Sequence, residues 1–142
     1  VLLAMPQTYM NLSGNAVRRL LAFFKADINN LLVIHDDLDL PFGTIRLKTG
    51  GGNAGHKGLE SIVENLGSSD FMRVRIGIGR PADKARIESY VLERFEPKEE
   101  AIVAPVIQSA ADATSEIILS DMQTAMVKYH TKNIGNLKKE DS

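Results

Sequence analysis

What most constrains this chain is its alternation between two hydrophobic periods. The runs "LLVIH" (31–35) and "MRVRIGIG" (72–79) and the alternating "TIRLK" (44–48) read as strands, the first apolar throughout. Between them lie segments whose apolar residues recur at helical spacing. Val17, Leu20, Leu21 and Phe24 make one stripe and Leu59, Ile62, Val63 and Leu66 another, with Asn11 or Ser13 available to cap the first. "VLLAM" (1–5) reads as a further buried strand stopped by Pro6. A short helix is expected within 83–93. A long one should start at Pro97, carry Ile102, Val103, Val106 and Ile107, and kink at Pro105. Ser120 to Gln123 forms a capping-box pattern opening a last helix through Tyr129.

Strands alternating with helices imply a layered α/β domain. The expectation is a single-domain three-layer α/β/α sandwich around a twisted, mostly parallel (mixed) sheet. It should occupy residues 1–131, followed by a polar tail over 132–142. Val1 is not an initiator methionine and the sequence reads as a strand from its first residue, so the chain is expected to be truncated at its N-terminus.

At 142 residues the chain is long enough for one real core. It has no cysteine, which removes disulfides and thiolate zinc sites and fits a reducing cytoplasm. Its apolar runs reach about five residues against the ~20 that span a bilayer, and no secretory leader pattern opens it. The net charge of −1 advertises no polyanion partner. Between residues 46 and 80, however, Arg46, Lys48, Lys57, Arg73, Arg75 and Arg80 face only Glu60, Glu64 and Asp70, so a local basic face is available.

Four places carry chemistry. "HDDLD" sets Asp36, Asp37 and Asp39 at the end of a buried strand, where functional groups of α/β sheets gather. A carboxylate there can orient a histidine, ligate a divalent cation or simply cap a turn. Strand alternation puts Asp36 and Asp37 on opposite sides. "GGGNAGHKG" formally satisfies a dinucleotide fingerprint, but no acid ends the following strand. Its glycines instead admit an anionic or bulky ligand, with His56 opening a helix, or merely connect, with His56 as the cap. Lys48 and Arg75 hold similar positions on the strands flanking that helix, suited to one phosphate or to keeping a face soluble. Asn11 lies before a helix, where its amide can bind a peptide backbone or water, or act as a cap. His130, near the end of the last helix, complements the helix dipole.

The ordered series P-x-T-Y-M-N-L-S-G, H-D-D-L-D-L-P-x-G, G-G-G-N-A-G-H-K-G-L and R-V-R-I-G-I-G-R-P, spread from Val1 to about Tyr129, resembles the bacterial-type peptidyl-tRNA hydrolases. The resemblance implies metal-independent, cofactor-free cleavage of the ester joining peptide to tRNA, by a cytoplasmic and generally monomeric enzyme. It implies that Asp36 orients the catalytic histidine, that Asn11 holds the peptide and the attacking water, and that Tyr9 lines the cleft. Lys48 and Arg75 match the pair that grips the 5′-phosphate of tRNA. His56 and Lys57 fall on the substrate side, Lys57 replacing the family's usual asparagine. The family's catalytic histidine lies upstream of these motifs; His35, His56 and His130 do not match it. The expectation is therefore an inactive fragment of a peptidyl-tRNA hydrolase. The rivals are a non-catalytic RNA-binding fragment and, further off, a dinucleotide-dependent oxidoreductase.

Overall fold

The structure, a computed structural model, describes residues 1–129. His130 and the expected 132–142 tail lie outside them. The described residues form a mixed α/β protein with five α-helices and three strands, in the order α1 (Ser13–Phe23), β1 (Leu32–Asp37), β2 (Ile45–Thr49), α2 (Lys57–Leu66), β3 (Met72–Gly77), α3 (Ile87–Tyr90), α4 (Pro97–Leu119) and α5 (Met122–Tyr129). It divides into two compact units, one of residues 1–33 and 49–72, the other of residues 34–48 and 73 onward.

In the first unit, α1 and α2 pack around Val17, Leu59, Ile62 and Phe71, with Leu21 and Val63 against them. Both helices follow from their stripes, with one exception. Phe24 sits at the C-cap of α1, is 53% exposed, and meets Phe23 edge-on at 5.0 Å between centroids. Neither expected residue caps α1. Asn11 lies within a 3-10 turn at Met10–Leu12, and the Ser13 hydroxyl donates back to the Met10 carbonyl at 2.8 Å. The Gly14 N–H, one of the donors a helix start leaves unsatisfied, goes instead to Ser61 Oγ of α2 at 2.9 Å. A side chain on Gly14 would run into the Ser61 carbonyl, so glycine sets how closely the helices cross. The α2 helix ends at Gly67 in a left-handed conformation, φ 71°, its N–H closing on the Val63 carbonyl.

The expected strand at 1–5 is absent. Residues 1–7 have no regular structure, and Val1, Leu3 and Met5 are 97%, 86% and 82% exposed. A strand exists only through hydrogen bonds to a neighbour, and this segment pairs with none of the strands of the sheet, whose order is β1-β3-β2.

The sheet's register follows from bonds at its ends. Met72 N–H to Leu31 O and Ile78 N–H to Asp37 O, both 3.0 Å, make β1 and β3 parallel. Gly50 N–H to Phe71 O at 3.0 Å and Gly77 N–H to Thr44 O at 2.8 Å make β2 and β3 antiparallel. The sheet is therefore mixed, one pairing of each kind. In the second unit Ile45, Leu47 and Val74 are buried, as is the stripe Val106, Ala110, Ala113 and Ile117 of α4. By length and composition alone α4 is long and apolar enough to cross a membrane; a Lys128–Glu116 ion pair at 2.8 Å joins α5 to it. The helix starts at Pro97 as expected and continues through Pro105. Glu96 and Glu99 supply a reciprocal capping box there that sequence reasoning overlooked. At α5 the cap is Asp121, whose Oδ1 accepts from Thr124 N–H at 2.7 Å, one residue beyond the expected Ser120.

Candidate functional site

The candidate residues fall in both units. In the first, Tyr9 is 83% exposed and Asn11 is exposed on its 3-10 turn. His56 closes the glycine-rich loop and caps α2, its Nδ1 accepting from the Leu59 N–H at 3.2 Å. The capping possibility is thus realised. Lys57 is exposed as the first residue of α2. The loop before it leaves β2 through Gly50 at φ 73°, and also holds Ala54 in a left-handed backbone at φ 49°.

In the second unit the acidic run of β1 resolves residue by residue. Asp36 is half-buried, and its carbonyl accepts from His35 Nδ1 at 2.8 Å. The Asp37 side chain is 4% exposed: its Oδ2 meets Arg75 Nε at 2.8 Å and its Oδ1 takes the Asp39 N–H at 2.8 Å. Asp39 in turn pairs with Arg80 Nη2 at 2.7 Å, both about half exposed. Asp37 and Asp39 are therefore each committed to an arginine from the β3 segment. Among the described residues no three histidine or acidic side chains converge as a metal site would require.

The antiparallel register sets Arg46 across from Arg75 and Lys48 across from Arg73. Directly opposed residues share a face, so all four cations lie on one side of β2 and β3, with Lys48 diagonal to Arg75. The ion pair places Asp37 on that side too, and alternation sends Asp36 to the other. Arg73 is 1% exposed; burial, and secondarily the nearby Arg75 guanidinium, hold it below the usual arginine range. Lys48 is exposed and Arg75 half-exposed.

Sequence reasoning anticipated Lys48 and Arg75 as neighbours but missed the Asp37–Arg75 and Asp39–Arg80 pairs. Both depend on β1 lying beside β3, which no local pattern states.

Comparisons with known proteins give the family. The peptidyl-tRNA hydrolase family model matches residues 1–137. The peptidyl-tRNA hydrolase of Mycobacterium tuberculosis is 49% identical over 130 residues, covering 92% of this chain and 68% of that protein. That of Kineococcus radiotolerans is 44% identical over 130 residues, covering 92% and 66%. The crystal structure of peptidyl-tRNA hydrolase from Acinetobacter baumannii superposes with a TM-score of 0.80 at 36% identity, covering 91% of this chain and 65% of that one. This chain belongs to the peptidyl-tRNA hydrolase family. It spans about two thirds of the length of the relatives it matches.

Proposed function

We propose that this chain serves hydrolysis of the ester between peptide and tRNA in peptidyl-tRNA, recycling stalled molecules. Water adds to the ester carbonyl, the bond to the terminal ribose oxygen breaks, and a free peptide acid and tRNA with its restored hydroxyl leave. The family match across residues 1–137, with Asp36, Asn11, Lys48 and Arg75 at the family's motif positions, carries this reading.

In it, Asp36 orients the histidine that takes a proton from the water and stabilises the imidazolium that forms. Asn11 uses its amide as both donor and acceptor toward peptide and water. Tyr9 lines the cleft, and His56 and the Lys57 ammonium stand on the substrate side. Lys48 and Arg75 hold the 5′-phosphate of tRNA, and their common strand face supports that pairing. No cofactor is called for, and the working form is a cytoplasmic monomer.

His35 and His56 each commit Nδ1 within their own segment, to the Asp36 carbonyl and the Leu59 amide. Neither matches the family's catalytic position. The 142 residues alone are accordingly proposed to be inactive. The test measures release of N-acetylated amino acid from acylated tRNA, by this chain and by a chimaera carrying a relative's N-terminal segment. The chimaera should turn over, resist chelators, and lose about 10²–10⁴-fold in kcat on Asp36→Asn. Comparable turnover by the chain alone would remove the missing-histidine reading, and a silent chimaera would remove the hydrolase reading. The cationic face also favours a second reading, RNA binding without cleavage, which predicts salt-sensitive tRNA binding by a silent chimaera.

A further inference from the structure

We propose that Asp37 is a positioning residue that holds the Arg75 guanidinium by its Nε edge and so presents the terminal Nη groups to the RNA phosphate. This rests on the reading of Arg75 and Lys48 as phosphate-binding and extends it to a residue that touches no substrate.

The geometry is specific. Arginine meets a carboxylate through its Nε edge or through its Nη groups, and the choice decides which donors are left over. Here the contact is Nε to Oδ2 at 2.8 Å, and among the described residues the Nη groups of Arg75 make no hydrogen bond. The carboxylate is itself held in place. Its second oxygen takes the Asp39 amide, and the Asp37 carbonyl takes the Ile78 N–H at 3.0 Å, so neither side chain nor backbone is free to follow a moving arginine. Asp37 is nearly inaccessible while Arg75 stays 23% exposed, so one end of the pair is anchored and the other reaches solvent.

Charge gives the same answer. Arg46, Lys48, Arg73 and Arg75 share the face on which Asp37 is the acid contributed by β1. Like charges this close drive flexible arginines apart. An acid at the Nε edge offsets the repulsion around Arg75 and fixes its direction. An anchored guanidinium loses less side-chain freedom on meeting a phosphate than a mobile one. Bidentate recognition of phosphate needs such a fixed fork, which the ammonium of Lys48 does not have.

The experiment uses the 142-residue chain and an acceptor-stem hairpin RNA made with either a 5′-phosphate or a 5′-hydroxyl. The parent should prefer the phosphorylated hairpin by about tenfold, and Asp37→Asn should erase most of that preference while leaving affinity for the hydroxyl form within about twofold. In an Arg75→Lys background, Asp37→Asn should change the preference no further. A merely structural role would weaken both hairpins alike. An undiminished preference in Asp37→Asn overturns the positioning role while phosphate recognition stands. A parent without preference overturns phosphate recognition itself and this inference with it. Should the variant not fold, NMR on the unaltered chain decides: the Arg75 Nε proton should stay protected when phosphorylated hairpin is added while the Nη protons shift. Loss of Nε protection on binding would show that Arg75 leaves Asp37 to bind, against the proposal.

Discussion

Lys25 holds a left-handed backbone, φ 52°, where α1 ends and the Ala26 N–H returns to the Leu21 carbonyl at 2.9 Å. A Cβ in that conformation costs about 1 kcal/mol or somewhat more, and glycine is the residue that usually occupies it. Lys25→Gly should therefore raise stability by about 0.5–1 kcal/mol, seen as a higher urea midpoint at unchanged slope. Tyr90 makes the complementary case at high pH. Its hydroxyl donates to the Ile78 carbonyl, and burial, then Glu99 and Glu93, raise its pKa above the ordinary tyrosine value. The unfolded chain thus loses the phenolic proton first, so this contribution is complete below about pH 10 and declines as pH rises further. Tyr90→Phe should flatten the alkaline limb of a stability–pH curve and cost about 1 kcal/mol at neutral pH. A limb unchanged in slope would contradict that origin. Single residues were legible in the sequence where their role is local. His56 at the head of a helix and Pro97 at its first position are examples. The Asp37–Arg75 bond was not, because its partners are separated along the chain and meet only through sheet order.

Helices announced themselves through stripes that bury one face, and α2 lies almost where its spacing put it. Strands were less readable. The "VLLAM" run is as apolar as "LLVIH", yet only the latter pairs with another strand, and apolarity alone does not decide pairing. The start of α1 shows a related limit. Asn11 and Ser13 are good caps by type, but α1 draws its acceptor from Ser61 on another helix. That crossing is testable. Gly14→Ala places a methyl group against the Ser61 carbonyl, a backbone atom that cannot rotate away, and should cost about 2–3 kcal/mol in chemical denaturation. Ser61→Ala leaves the buried Gly14 N–H without its acceptor and should cost about 1–3 kcal/mol. Because both act at one contact, the double variant should lose less than the two costs added. Strict additivity would mean the residues do not act through each other.

A net charge of −1 conceals the sorting of cations onto one sheet face. Affinity for tRNA should fall steeply with salt, because each phosphate neutralised releases counter-ions. Replacing Lys48 or Arg75 by alanine should flatten the log–log salt dependence by about 0.7–0.9 each. An unaltered slope in both variants would place the RNA elsewhere on the protein. The candidate residues stand out in the sequence as a family pattern, whereas which acid meets which arginine required the register. The order β1-β3-β2 also bears on synthesis. Among the described strands the middle one is the last to be made, so β1 and β2 meet their common partner only once the stretch Met72–Gly77 has emerged, and this three-stranded ladder closes late in synthesis.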